Sequence, residues 1–299
     1  MTKFTTRIAP SPTGYFHIGS ARTAYFNYLA AKASGGKFIL RIDDTDLTRN
    51  NAEYVSHIYK SMDWLGLDYD STFRQSDNLE QYLNISNMLV QNKLAYREGS
   101  AVILDVQKNN LMPDSFTDNI GGVIKVSKQD IDNSKTLVLI KSDNMPTYHF
   151  ASVVDDYKSN VNNVIRGVDH ISNTVKQISM INAINLCGES VAVPQYSHIG
   201  LLCIQNKKIS KRAGQLEADL AYYIDKRYSS EAMLNWVLRM GWGPYVDDKT
   251  NSIIDKDKAI SMFLSGGKMK SSNANIDLVK LDWFNRKYVP PPNPHNGMK

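Results

Sequence analysis

His17-Ile18-Gly19-Ser20 places an imidazole, a glycine and a hydroxyl after a strand-like run and a turn, where a helical stretch begins. Helix N-termini present unpaired N–H groups and a partial positive charge, both suited to phosphate. Gly19 lacks a side chain, so a flat ring can approach the backbone there, and His17 can donate to phosphate oxygens. The same four residues also make a plain helix-capping turn, and alone they do not separate the two readings. Far along the chain, Lys208-Ile209-Ser210-Lys211-Arg212 sets three cations around a serine, followed by Ala213-Gly214. Such a loop can clamp a polyphosphate as charge develops in a displacement, although a basic run is also what a solvated face looks like. A third cluster, Asp43-Asp44-Thr45-Asp46, carries three carboxylates on one turn, a donor set that suits magnesium.

The elements that must position these groups alternate. Phe4–Ala9 reads as a strand ended by Pro10-Ser11-Pro12-Thr13-Gly14. A helix follows over Ser20–Ala33, closed by Ser34-Gly35-Gly36, and then a second strand over Lys37–Ile42. Helices over Asn51–Leu65 and Leu79–Lys93 continue an order that predicts a parallel, doubly wound sheet. The order lapses between Arg97 and Asn133, where Gly, Asn, Asp and Ser are frequent, which predicts a small inserted module of short strands. It resumes at Leu137–Lys141 and continues through Val164–Arg166, a helix over Ser172–Asn185 and a strand near His198–Ile204. From Glu217 onward the segments read as helical, including Ser230–Met240 and Lys256–Leu264. Val289–Pro294 reads as a stiff exposed tail. The phosphate-suited segments thus lie at opposite ends of one alternating α/β stretch.

Composition bounds the rest. At 299 residues, 42% hydrophobic and 22% charged, the chain matches a soluble globular protein of two or three structural units. No run of 18 apolar residues exists, which excludes a membrane-spanning helix, and the first seven residues lack the apolar stretch of a signal peptide. Cys187 and Cys203 are isolated in apolar surroundings, which predicts free buried thiols and a cytoplasmic setting. With no C-x-x-C pair, a structural zinc site has no support. A net charge of +5 permits a nucleic-acid partner without requiring one.

His17-Ile18-Gly19-Ser20 and Lys208-Ile209-Ser210-Lys211-Arg212 together resemble the two signatures of class I aminoacyl-tRNA synthetases. The resemblance to glutamyl-tRNA synthetase runs over most of the chain. It covers Arg7–Gly14, Ser20–Ala24, Arg41–Asp46, Pro146–Phe150 through Val154-Asp155-Asp156, Ile165-Arg166-Gly167 through Asp169-His170, and Leu281–Asn285. It implies a Rossmann-type catalytic domain formed by residues 1–96 and 136–214. It further implies a shortened acceptor-binding insertion over 97–135, and a helical stem-contact region and tail over 215–299. The reaction so implied joins glutamate to ATP, releases pyrophosphate and passes the acyl group to the 3′ end of a tRNA held by its acceptor end and stem. Magnesium would accompany ATP, and the protein would act as a monomer with no membrane partner.

Residue by residue, the resemblance gives the phosphates of ATP to His17, Gly19 and Ser20, with Lys208, Ser210 and Lys211 on the pyrophosphate. His17, Lys208 and Lys211 would be catalytic. Arg7 and Arg166 match positions that contact the substrate carboxylate, with Ser11 and Tyr148 nearby, and a planar guanidinium suits that task. For Arg166 the residues alone also allow a structural ion pair with Asp155, Asp156 or Asp169. Asp43 would take the substrate ammonium while Asp44 and Asp46 organise the loop, instead of the magnesium site that the three carboxylates allow. The family usually has glutamate at that place, and an aspartate one methylene shorter implies a looser or water-bridged contact. His198, Leu201 and Leu202 read as core residues of the adenine-side strand.

Two departures from the family stand out, the short insertion and an end at Lys299, where a helical anticodon-binding domain would normally begin. Either the sequence is truncated or the protein is compact. Two alternatives remain at this stage. One is a glutamyl-queuosine tRNA(Asp) synthetase, whose family commonly carries a cysteine zinc cluster and a degraded second signature. The other is a non-catalytic paralogue that binds tRNA or protein, which would not need a pyrophosphate clamp.

Overall fold

The computed structural model describes residues 2–46, 48–204, 216–244 and 253–289, together with the backbone of Lys207 and Lys208. Its centre is parallel sheet. β1 (Thr5–Ile8), β2 (Lys37–Ile42) and β3 (Ser71–Arg74) pair in that order, crossed over by α1 (Ile18–Ser34) and α2 (Ala52–Trp64). On the other flank of β1 stands β9 (Asn163–Gly167), tied by the Asn162 N–H to the Thr5 carbonyl at 3.1 Å. β9 pairs in parallel with β10 (Gln195–Ile199) through the crossover α6 (Ile171–Leu186). The two parallel sheets lie edge to edge in the order β3-β2-β1 and β9-β10, without a ladder between β1 and β9, and the winding reverses there. Doubly wound sheets bind ligands in the crevice at such a reversal, beyond the carboxyl ends of the strands.

The middle of the chain divides between two sheets. After α3 (Leu79–Gln91), β4 (Ala95–Glu98), β5 (Ala101–Asp105) and β8 (Thr136–Ile140) form an antiparallel sheet. The hairpin of β6 (Ser115–Asp118) and β7 (Gly122–Lys125) instead joins the far edge of β10, with Tyr196 opposite Asp118. A single-turn α4 (Lys128–Asp132), closed by a capping box of Ser127 and Asp130, returns the chain to β8. The strand near Leu137–Lys141 is thus not a member of the parallel sheet. Its burial explains why. Leu137 and Leu139 are covered while Thr136 and Val138 face solvent, the alternation of a sheet wet on one side. β2, by contrast, is buried at every residue after Lys37.

α1 is enclosed on all sides. Ile18, Ala21, Tyr25, Phe26, Leu29 and Ala30 are each 1% exposed or less. It packs on β1 and β9 with one face and on α8 (Ser230–Arg239) and α9 (Lys256–Met262) with another. Gly35 ends it at φ 67°, a left-handed turn that glycine adopts without strain. A second core lies between α3, α6, β5, β8 and α5 (Tyr148–Lys158), around Leu89, Leu104, Phe150 and Ile184.

The region after Glu217 is not wholly helical. α7 (Leu220–Asp225), α8, α9 and α10 (Leu278–Tyr288) are helices, the last three capped by Ser229, Asp255 and Asp277. Between them β13 (Trp242–Pro244) pairs antiparallel with β14 (Gly267–Met269), and β15 (Ala274–Asn275) runs parallel to β11 (Leu202–Ile204). β11 also pairs with β12 (Lys207–Lys208). The expected strand over His198–Ile204 is therefore two strands, broken at Gly200. A Cβ at Gly200 would lie 2.0 Å from the Ser272 carbonyl oxygen, so the backbone of the later region presses where the strand ends. The tail from Pro290 lies outside the described residues.

Candidate active site

A cleft of about 350 Å³ opens at the reversal of winding, above the ends of β1 and β9 and against the first turn of α1. It gathers Arg7, Ser11, His17, Gly19, Ser20, Tyr148 and Arg166 on its walls, from segments up to 159 residues apart in sequence. β1 contributes Arg7 and the turn after it contributes Ser11. β9 contributes Arg166, and α5 begins with Tyr148. Of Lys208 the backbone alone is described, in β12, and Ser210 and Lys211 lie outside the described residues.

His17 is the N-cap of α1. Its Nδ1 accepts the Gly19 N–H at 2.9 Å, so the capping reading of this segment holds. Capping and phosphate binding are compatible, because an accepting Nδ1 leaves the ring proton on Nε2. A Cβ at position 19 would sit 3.0 Å from His17 Nδ1, so any larger residue there would make the ring give by a few tenths of an ångström. Thr23 closes the turn by donating to the Gly19 carbonyl at 2.9 Å.

Arg166 is 6% exposed, and among the described residues it makes no ion pair. Asp155 instead accepts from Gln75 and Tyr82, and Asp156 from Arg7 and Arg41. The Arg166 Nε donates to His198 Nε2 at 3.2 Å and one Nη donates to Thr174 Oγ1 at 2.7 Å. Its plane lies over Tyr196, 5.3 Å from the ring centroid. The other amino group, Nη1, is buried and without a hydrogen bond among the described residues. Burial holds this guanidinium below its ordinary pKa. A fixed, desolvated cation with an unpaired donor beside a cleft calls for a carboxylate.

Arg7 belongs to a different network. Its Nε meets Asp156 at 3.1 Å, and Asp156 also accepts from Arg41 at 2.6 Å. Arg41, fully enclosed, pairs with Asp43 at 2.6 Å and lies 3.8 Å from Asp155. Burial raises the Asp43 carboxyl to about 6 despite the attraction of Arg41, and burial likewise raises Asp155. Asp156 stays below the usual range because two arginines outweigh its burial. Asp43 is thus turned into the Arg41 pair and does not line the cleft. Asp44 accepts from the Ser76 N–H and hydroxyl, both at 2.8 Å, and Asp46 accepts from Thr48 and Arg49, so these two do organise loops. The three carboxylates point at three different partners.

Sequence reasoning missed several residues that shape the cleft. Arg22 lines it from α1 and donates to the Met240 carbonyl at 2.7 Å and to that of Gly200. His198, read as core, is indeed 1% exposed, but its work is to hold Arg166. Asp118 in β6 accepts from His198 Nδ1 at 2.7 Å. No spacing rule links residues 118, 166 and 198, and the one available sign was a carboxylate in the alternating run Phe116–Ile120. Leu201 and Leu202, also read as core, line the cleft.

The sequence matches the family model for tRNA synthetases class I (E and Q), catalytic domain, over residues 3–102 and 97–283. It is 36% identical to glutamate–tRNA ligase 1 of Helicobacter hepaticus, over 97% of this chain and 67% of that protein. Identity to the glutamate–tRNA ligase of Nitrosomonas europaea is 34%, over 95% of this chain and 66% of that one. The chain spans about two thirds of the length of the curated relatives it matches. In three dimensions it resembles the glutamate–tRNA synthetase of Elizabethkingia anophelis, with a TM-score of 0.79, 24% identity, and 96% of this chain and 71% of that one covered. A glutamate tRNA ligase of Elizabethkingia meningosepticum, solved in complex with its amino acid, gives a TM-score of 0.78 at 25% identity, covering 96% and 70%.

Proposed function

The chain belongs to the class I tRNA synthetases of the glutamate and glutamine group, and on that premise we propose that it is a glutamate–tRNA ligase. In this reading, an oxygen of the glutamate α-carboxylate attacks the α-phosphorus of ATP. The new O–P bond forms as the bond to pyrophosphate breaks. A terminal ribose hydroxyl of tRNA then takes the acyl group and AMP departs. The single observation that carries glutamate is Arg166, buried in the cleft with Nη1 open and its other nitrogens fixed. A side-chain carboxylate satisfies that group. The amide of glutamine would leave the cation uncompensated.

The first turn of α1, with His17, Gly19 and Ser20, faces the cleft and receives the phosphates of ATP. Lys208, Ser210 and Lys211 neutralise the leaving pyrophosphate, on the strength of their motif. Arg7 and Tyr148 line the amino-acid side with Ser11. Of the Arg7 nitrogens, Asp156 holds Nε alone among the described residues. Asp43 reaches the substrate ammonium through a water or through the field of its network, where three aspartates face two arginines. Since Asp43, Asp44 and Asp46 are each engaged, magnesium arrives with the nucleotide and its waters. Residues 97–135 are proposed to meet the acceptor end of tRNA and the region 215–299 its stem.

Two features favour this reading over a queuosine-type transfer or a non-catalytic paralogue: Lys208 and Lys211 are retained, and a cysteine cluster is lacking. Incubation with labelled glutamate, ATP and a tRNA pool, followed by mass spectrometry of the tRNA, tests it. Label on the terminal ribose of tRNA(Glu) or tRNA(Gln) is expected. Label on a modified base of tRNA(Asp), or none at all, overturns it.

A further inference from the structure

Arg166 is held through a chain that begins outside the cleft. Its Nε carries a proton and can only donate, so the His198 Nε2 it meets at 3.2 Å must accept. The His198 proton therefore sits on Nδ1, which donates to Asp118 Oδ2 at 2.7 Å. Asp118 is itself fixed by three backbone N–H groups, those of His198 at 2.9 Å, Ile120 at 3.0 Å and Gly121 at 2.7 Å. Asp118 and His198 are 2% and 1% exposed. Asp118 lies on β6, which reaches β10 only through the hairpin inserted in the middle of the chain.

We infer that Asp118 and His198 are positioning residues that fix the imidazole as the Nδ1–H tautomer and thereby aim Arg166 at the carboxylate of the amino-acid substrate. The arrangement has a physical reason. An aspartate in direct contact with Arg166 would occupy the nitrogens needed for the ligand. Delivered through a neutral ring, the same charge orients the guanidinium and leaves Nη1 open. The inference rests on Arg166 being the carboxylate receptor proposed above.

Asp118→Asn tests it. The amide oxygen keeps the Ile120 and Gly121 N–H groups, which leaves its NH2 facing both the His198 ring and the His198 backbone N–H, which loses its acceptor. The ring must then accept at Nδ1 and carry its proton on Nε2, donor against donor with Arg166. Imidazole 15N spectra of the labelled full chain should show Nδ1–H for His198, changing to Nε2–H in Asp118→Asn. Glutamate-dependent pyrophosphate exchange, with tRNA present, should show the glutamate KM raised about tenfold or more, the ATP KM within about twofold, and kcat little changed. In a His198→Gln background, which has no tautomer, Asp118→Asn should add no further loss. An Nε2–H tautomer in the unaltered chain overturns the inference whether or not the variant folds. So does an equal loss from Asp118→Asn in both backgrounds. Arg166→Ala separates the two levels. An unchanged glutamate KM there removes the site assignment itself, whereas a raised KM beside a silent Asp118→Asn removes only the relay.

Discussion

A guanidinium buried without a carboxylate costs several kcal/mol unless something arrives to satisfy it. Arg7 and Arg41 engage Asp155 and Asp156, and Arg166 makes no ion pair among the described residues, so its deficit stays at the cleft. Arg166→Ala is therefore expected to lower kcat/KM for glutamate by roughly 10²-fold or more, while the unaltered chain activates glutamine poorly. Pyrophosphate exchange with both amino acids measures this, and efficient glutamine turnover would sink the assignment. The same cations act on neighbouring histidines. His149 is lowered to about 4, by burial first and then by Lys176 and Arg166, and its Nδ1 makes no hydrogen bond among the described residues. Its folded value lies below the ordinary 6.5, so the unfolded chain takes up a proton that the folded chain refuses as pH falls from 6.5 toward 4. Stability is lost across that window. His149→Leu should therefore gain on the unaltered chain as pH drops from 7 to 5, by at most about 1.4 kcal/mol per pH unit. Urea unfolding at several pH values reads the gap, and a gap that stays constant would show that His149 does not titrate there.

Elements were legible where one period ran long enough. α2, α3, α6 and α8 stand within two residues of their expected ends, because each carries a helical pattern over ten residues or more. Partnership was less legible. Leu137–Ile140 reads as a strand from its residues, but only its neighbours place it antiparallel to β5. The cleft shows the same split. Seven of its expected residues were visible as local motifs, whereas Asp118 and His198 act through pairings made across 80 residues. At the start of α1 the two levels meet, and Gly19→Ala sets them against each other. Alanine favours the helix by up to about 1 kcal/mol over glycine. Its Cβ, however, would press on His17 Nδ1 at 3.0 Å and break the cap on which the ring's orientation depends. Thermal stability should change little, while the rate of adenylate formation falls by about tenfold or more. Differential scanning fluorimetry and a single-turnover assay separate the two. Parallel losses in both would mean that His17 serves the fold alone.

Across the whole molecule, the first strands and the last helices share one core. Ile8, Phe26, Leu29 and Leu40 are continuous with Met233, Trp236, Leu281 and Phe284, and α1 lies between the two groups. Arg22 adds a polar strut to this core. From α1 it donates to the carbonyls of Gly200, where β10 ends, and of Met240, where α8 ends. Burial lowers its pKa to about 10, so the strut itself carries a desolvation cost. Arg22→Met keeps much of the volume and removes that cost, but it strands two buried carbonyls. The second effect should win. Each carbonyl left unpaired costs about 1–3 kcal/mol, whereas those two carbonyl dipoles already offset part of the burial of the Arg22 charge. Stability should fall by about 2–4 kcal/mol, read as a lower urea midpoint. The transition should nevertheless remain single, because the apolar core still joins both regions. Three of the four tryptophans, Trp236, Trp242 and Trp283, lie after residue 230, so fluorescence reports mainly on the later region while far-UV circular dichroism reports on the whole chain. Coincident curves from the two probes, before and after the substitution, are the expected result. Fluorescence that changes at lower urea than ellipticity in the unaltered chain would show that the later helices unfold on their own, and the shared core would then not couple the cleft to them.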